Sequence, residues 1–97
     1  MIKHVILWKM KEGVDKTAVA QGVKEGLEGL VGTVPGLTRA TVVIGQMDSC
    51  TADVMLDSEF ESEQALKAYK THPAHVAVAD ERVRPYMQVR LCMDYEA

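Results

Sequence analysis

Residues 2–11 read IKHVILWKMK, and this stretch decides the fold. Its side chains alternate with a period of two, which predicts a β-strand because successive strand side chains point to opposite faces of a sheet. The two alternating sets are His4, Ile6, Trp8 and Met10 on one face, and Lys3, Val5, Leu7 and Lys9 on the other. Both sets hold large apolar residues, so each face of this strand needs a covering surface.

Beyond this strand, the pattern alternates between helix and strand. Apolar residues recur near helical spacing after Asp15 or Thr17, β-branched residues follow a Pro-Gly turn, and Ser62 can cap a second helix. The predicted segments are a strand at 2–11, a helix at 16–34, strands at 37–45 and 54–60, a helix at 62–71 and a strand at 86–95. The order β-α-β-β-α-β predicts an α+β, ferredoxin-like fold with a four-stranded antiparallel sheet and both helices on one face, as a single domain over residues 1–97.

Pro73 interrupts the last helical segment. Proline has no N–H and disfavours helical geometry at the residue before it, so we expect the helix to end near Thr71 and a short helix to begin at Pro73. His72 then borders this junction, and we interpret it as a structural residue.

The second face of the first strand predicts self-association. If the helices cover the face of His4, then Val5 and Leu7 lie on the opposite face, where the same chain has nothing left to cover them. A second copy packed sheet against sheet would bury this apolar centre, so we expect an isologous homodimer through the sheet face. Gln88 and Arg90 are expected near that contact.

Composition argues against several classes of protein. The chain of 97 residues is 47% hydrophobic and 26% charged, which is typical of a globular protein. Its net charge of −3 and its lack of a basic cluster longer than RVR argue against nucleic acid as a partner. The N-terminal stretch has the pattern of neither a signal peptide nor a membrane span, so we expect no membrane association and a cytoplasmic location. Cys50 and Cys92 lack metal-ligand spacing, which fits a reducing compartment.

Three motifs together resemble the stress-responsive A/B barrel (Dabb) family. They are IKHVILWKMK at 2–11, VPGL at 34–37 and AYKTHPAHVAVAD at 68–80, and the resemblance covers essentially the whole chain. The resemblance implies a dimeric α+β barrel whose subunits are ferredoxin-like, with no metal and no organic cofactor. Most bacterial members look like proteins of unassigned function, so an uncharacterised stress-response-type protein is the first expectation.

The resemblance also implies candidate site residues. A plant polyketide cyclase of this family closes a linear polyketide by an aldol reaction, and its two functional histidines match His4 and His75. Its supporting tyrosine matches Tyr69, which implies catalytic roles for these three residues. Another tyrosine of its pocket falls at or near Leu27, where the two chains differ.

An aldol closure needs these residue types. A base removes a proton next to a carbonyl, and a donor stabilises the enolate or alkoxide that develops. A neutral histidine suits the first role, and a second histidine or a tyrosine hydroxyl suits the other. Because Ile6 and Trp8 share the strand face of His4, we expect both to line a pocket for a small organic ligand.

Two other interpretations stay open. In a purely structural oligomeric module, His4 and His75 would hydrogen-bond to each other or to the backbone within a filled core. The spacing His72-x-x-His75 would suit a metal, but no third ligand stands at a recognisable offset, so we predict no metal site. An open cavity beside His75 would distinguish a binding protein from a filled core.

Overall fold

The computed structural model describes residues 1–97. Its strands are β1 (Ile2–Met10), β2 (Leu37–Ile44), β3 (Val54–Phe60) and β4 (Met87–Glu96), and its helices are α1 (Lys16–Glu28), α2 (Glu63–Thr71) and α3 (Pro73–Val78). A π-helical turn (Ala79–Val83) and a 3-10 turn (Arg84–Tyr86) join α3 to β4. The predicted order of elements is confirmed, including the helix break at Pro73.

The four strands form one antiparallel sheet in the order β2-β3-β1-β4. This is the predicted ferredoxin-like sheet, with β1 at its centre and β4 at one edge. The register places Asp94 opposite His4 and Arg90 opposite Trp8. Because residues directly opposite each other share a face, these two charged residues of β4 lie on the side of the sheet that the helices occupy.

Helix α1 starts where predicted but ends early. Asp15 Oδ1 accepts a hydrogen bond of 3.1 Å from a backbone N–H of the first turn, which caps the helix. The helix ends at Glu28 rather than at residue 34, so its predicted extent was wrong. Gly32 has φ +89°, which an α-helix does not accommodate. Leu30 and Val34 still reach the core from the turns that follow, which explains why their spacing mimics a helix.

Local capping explains the junction between α2 and α3. The Ser62 hydroxyl accepts a hydrogen bond of 3.1 Å from Ala65 N and starts α2. At His72 the backbone is extended, with ψ 131°, as expected before Pro73. The His72 Nδ1 accepts a hydrogen bond of 3.1 Å from Ala74 N, so this histidine caps α3 and its structural interpretation is confirmed.

The helix side of the sheet holds the hydrophobic core, a cluster of 17 buried residues. Val23 of α1 and Phe60 of β3 are fully buried there. The sheet and the helices thus form two layers around one core, as expected for this fold class. None of the helices combines the length and the apolar character that a membrane-spanning helix requires.

The outer face of the sheet, which we define as the face opposite the helices, is exposed and apolar. Its exposed apolar side chains are Leu7, Val43, Val89, Leu91, Met93 and Tyr95. Leu91 and Met93 are 62% and 68% exposed. The prediction that Leu7 lies on an uncovered face is confirmed, whereas the expectation that Arg90 borders this face was wrong. Arg90 lies on the other side because β4 directs its apolar residues outward.

Candidate functional site

A cavity of about 230 Å³ lies between the helix side of the sheet and the segment from α2 to the 3-10 turn. Its lining consists of His4, Ile6, Trp8, Leu27, Leu56, Tyr69, Lys70, His75, Ala79, Val83, Arg84, Met87 and Arg90. All five site residues named from the sequence are in this lining. The structure therefore brings His4, Tyr69 and His75 together beside the apolar surface of Ile6 and Trp8.

His4 is held in place by a carboxylate on the neighbouring strand. Its ring is 2% exposed, and its Nδ1 lies 2.5 Å from Asp94 Oδ1. Because a carboxylate oxygen only accepts, the Nδ1–H donates and the Nε2 keeps its lone pair. Burial lowers the pKa of His4 despite the opposing effect of Asp94, so the imidazole is neutral at pH 7.

Asp94 complements this neutral histidine. Although burial acts to raise the pKa of its carboxyl, the hydrogen bonds from His4 and Cys92 lower it below the usual range. The second carboxylate oxygen lies 4.0 Å from Lys70 Nζ. Asp94 is therefore an ionised carboxylate that orients His4, as the carboxylate does in a serine-protease triad.

The Tyr69 ring lies near both histidines of the cavity. Its ring centroid lies 6.1 Å from that of His4 and 4.0 Å from that of His75. Burial raises the pKa of the Tyr69 hydroxyl well above its usual range, so the hydroxyl is a hydrogen-bond donor at all physiological pH values. His4 and His75 do not hydrogen-bond to each other: His4 bonds to Asp94, and His75 faces a backbone carbonyl, which is the other contact that the structural interpretation allowed.

His75 is the second neutral imidazole of the cavity. Burial is the largest cause that lowers its pKa. Its Nδ1 faces the Lys70 carbonyl oxygen at 3.4 Å, a long contact in which the nitrogen donates, so Nε2 is again the basic atom. The site thus combines two neutral bases with a protonated phenol, which are the groups that proton transfer next to a carbonyl requires.

Sequence reasoning missed three residues of β4, namely Arg90, Cys92 and Asp94. The apolar residues of β4 were expected to face the core, whereas they lie on the outer face. The antiparallel register could have identified the polar set, because it places Asp94, Cys92 and Arg90 opposite His4, Ile6 and Trp8. The missing information was that the helices leave this edge strand open to solvent.

His4, Cys92 and Asp94 are the residues whose donor atoms come closest to a metal-binding set. The Cys92 sulfur lies 3.7 Å from His4 Nδ1 and 3.5 Å from Asp94 Oδ1, which suits the edges of a zinc tetrahedron. The third edge does not fit, because a separation of 2.5 Å between Nδ1 and Oδ1 accommodates a shared proton and no ion. His72 and His75 do not converge either, since His72 Nδ1 caps α3. The absence of a metal site stays a prediction.

The fold and the cavity define a class of ferredoxin-like α+β proteins with a histidine-lined pocket beside the sheet. The family model of the Stress responsive A/B Barrel Domain (Dabb) matches residues 2–97, and the chain belongs to this family. This chain is 31% identical over 98 residues to a stress-response A/B barrel domain-containing protein of Arabidopsis thaliana. That match covers 100% of this chain but only 37% of the Arabidopsis protein.

Solved structures with the same fold include dimers. A dimeric, ferredoxin-like protein of unknown function from Bacteroides fragilis has a TM-score of 0.91 at 30% identity, over 99% of this chain and 95% of that chain. A dimeric ferredoxin-like protein of unknown function from Thermobifida fusca has a TM-score of 0.86 at 20% identity, over 99% and 90% of the two chains. The Thermobifida fusca structure shows the shared fold, and the dimeric Bacteroides fragilis protein supports self-association.

Proposed function

We propose that this protein binds a small organic molecule in the cavity beside His4, Tyr69 and His75. Small-molecule sites are concave pockets lined mainly by apolar side chains, with a few convergent polar groups. An open space of about 230 Å³ bounded by two imidazoles is therefore the observation that carries the proposal. A purely structural module would instead fill this space with side chains.

Cofactor-independent, aldol-type chemistry is the enzymatic form of this proposal. Its specific support is that both imidazoles are neutral, while Tyr69, whose ring lies near both, keeps its hydroxyl proton. In such a reaction the Nε2 of His75 takes a proton from a carbon next to a carbonyl, and Tyr69 donates a hydrogen bond to the carbonyl oxygen as negative charge develops there. His4, oriented by Asp94, is the second acid–base group. Leu27 makes the opposite wall apolar, which favours a substrate different from that of the plant cyclase.

Trp8 provides a direct assay for binding. It is the single tryptophan of the chain, it is buried, and it lines the cavity. We expect 2-naphthamide, a neutral bicyclic probe, to quench Trp8 fluorescence in a saturable way, and His75→Ala or His4→Ala to weaken that binding by at least about ten-fold. His72→Asn is the matched control, because asparagine can cap α3 and His72 lies outside the cavity. Unchanged binding in both alanine variants, with melting curves that show folded protein, would contradict the proposal.

The enzymatic form has a separate test. We expect the protein to accelerate exchange of the α-protons of an aryl ketone with deuterated water, as followed by NMR. His75→Ala should remove most of the acceleration, since the base is lost, while His72→Asn should retain it. Equal exchange rates with wild-type protein and with buffer would leave binding as the only function of the cavity.

A homodimer that joins through the outer face is the assembly that we propose. Large exposed apolar patches mark interaction surfaces, and the outer face carries six of the nine large apolar side chains that are exposed. We expect Met93→Glu to raise the dimer dissociation constant by at least about a hundred-fold, since it would bury an unpaired charge in the contact. Met47→Glu is the matched control, because Met47 is a 74% exposed methionine in the loop between β2 and β3. Sedimentation that shows the same dimer in both variants would place the contact elsewhere.

A cytoplasmic location completes the proposal. Cys50 and Cys92 are both free thiols, which suits a reducing compartment. Fractionation of cells that express the protein at its natural level tests this location.

A further inference from the structure

The charges around the cavity differ in sign from those of the whole chain. Three cationic side chains line the cavity, Lys70, Arg84 and Arg90, and no aspartate or glutamate does. The chain itself has a net charge of −3. A concave site lined by one sign of charge raises the local concentration of ligands of the opposite sign.

Resting on the proposed function, we infer that the ligand of this cavity is a small organic carboxylate, and that Arg90 is the residue that binds its carboxylate group. Two of the three cations already have acidic partners. Arg84 pairs with Asp80 at 2.5 Å, and Lys70 Nζ lies 4.0 Å from Asp94. Arg90 has no ion pair and no side-chain hydrogen bond, although it is opposite Trp8 at the edge of the cavity.

The geometry of arginine suits this role. A guanidinium presents parallel N–H groups that bind a carboxylate in a bidentate manner, which adds directional selectivity to charge attraction. Arg90 lines the same cavity as both histidines, and, after the larger effect of burial, its charge also acts to lower the pKa values of His4 and His75. The outer face carries the proposed dimer contact, so a second copy bound there does not cover Arg90.

The rest of the lining defines the remainder of the ligand. Ile6, Trp8, Leu27 and Leu56 offer an apolar surface, and a volume of about 230 Å³ is below the range of about 300–1,000 Å³ that holds drug-sized molecules. Tyr69 supplies a hydroxyl donor to a second oxygen of the ligand. The ligand class is therefore a monocarboxylate with a compact apolar body and a carbonyl or hydroxyl group within reach of Tyr69.

Two isosteric probes test the inference. 2-Naphthoate and 2-naphthamide share shape and apolar surface and differ in charge. We expect wild-type protein at low ionic strength to bind 2-naphthoate about ten-fold more tightly than 2-naphthamide, measured by Trp8 fluorescence and by calorimetry. Arg90→Gln should reduce this preference to about two-fold or less while leaving the affinity for 2-naphthamide unchanged.

Arg82→Gln is the matched control for Arg90→Gln. Arg82 is an exposed arginine that pairs with Glu25 and does not line the cavity, so this variant should keep the full preference for 2-naphthoate. Because the Arg90 side chain has no hydrogen bond or ion pair, its replacement should leave the melting temperature unchanged. Equal affinity of wild-type protein for the two probes would overturn the carboxylate inference and leave the proposed function intact. Binding of neither probe would overturn the proposed function itself.

Discussion

Side chains alternate between the two faces of the sheet, and the rest of the chain covers the two faces to different extents. On the helix side, α1 and α2 cover β1, β2 and β3 and produce a closed core, but the edge strand β4 stays open. On the outer face, no element of the chain covers the apolar side chains of β1 and β4. The cavity with its charged residues lies where the helical cover ends. From this incomplete cover on one face and missing cover on the other, we propose a ligand site on the helix side and a contact with a second copy on the outer face.

The charged groups differ between the faces as well. On the helix side, Asp94 is paired with a neutral histidine. On the outer face, Lys3 Nζ lies 2.5 Å from Asp57 Oδ1, and Arg39 reaches the same carboxylate at 3.3 Å. The charged groups of the outer face therefore pair with one another, whereas polar groups of the cavity have no partner within the chain and could bind a proposed ligand.

The same substitution on the two faces should have the largest and most unequal effect. Leu56 is 1% exposed on the helix side of β3, and Leu91 is 62% exposed on the outer face. We expect Leu56→Ala to lower the free energy of unfolding by about 2–5 kcal/mol, because it removes buried methyl groups and enlarges the cavity. Leu91→Ala should cost less than about 1 kcal/mol at concentrations where the protein is monomeric. Urea denaturation at several protein concentrations separates the free energy of unfolding from that of dimerisation. Equal losses of unfolding free energy for the two variants would contradict the assignment of faces.

The dependence of folding stability on pH should also differ between the two faces, with a smaller effect than the leucine substitutions. Burial lowers the pKa values of His4 and His75, so the unfolded chain binds more protons than the folded one as the pH falls below about 6.5. Stability should therefore decrease between pH 7 and pH 5. On the outer face, the hydrogen bond from Lys3 lowers the pKa of Asp57, and this contribution persists until the pH falls below about 4.

Two variants separate these pH windows. A His75→Asn variant should reduce the loss of stability between pH 7 and pH 5, whereas Asp57→Asn should leave that loss unchanged. Thermal melts across the pH range provide the measurement. A loss between pH 7 and pH 5 that persists unaltered in His75→Asn and in a His4→Asn variant would show that these imidazoles are not the buried neutral groups described above.

The smallest effect is expected at the charged end of the outer face. Lys3→Met removes an ion pair whose acidic partner is partly exposed and retains Arg39 as a second cation. The Lys3 side chain is only 10% exposed, but methionine keeps its apolar stem and Arg39 still neutralises Asp57. We therefore expect a loss of unfolding free energy of about 1 kcal/mol, the upper end of the range for ion pairs that solvent reaches. Urea denaturation of the monomer checks it, and a loss similar to that of Leu56→Ala would show that this face is more enclosed than its exposure indicates.

Locally encoded features were predictable from the sequence. The alternation in β1 identified its two faces, and Pro73 marked the break that turns His72 into a cap. Ser62 marked the start of one helix, and Asp15 was one of two candidates for the start of the other. Each depends on interactions within a few residues, so no knowledge of the tertiary structure was needed.

Features that depend on tertiary contacts were not predictable in the same way. The end of α1 was missed because Leu30 and Val34 enter the core from turns, at a spacing that a helix would also produce. The orientation of β4 was missed because it depends on how far the helices extend over the sheet. Because of that error, the places of Asp94 and Arg90 on the helix side were not predicted. For the same reason, the pairing of His4 with a carboxylate rather than with His75 was missed.

We propose that the helix side binds a ligand while the outer face binds a second copy. A methyl-resolved NMR titration of the dimer with 2-naphthoate tests it most directly. We predict saturable shifts for Ile6, Leu27 and Leu56, with the methyl groups of Leu91 and Met93 unchanged by the ligand and altered only by dilution to monomer. Ligand-induced shifts centred on Leu91 and Met93, with Ile6 and Leu56 unaffected, would contradict it.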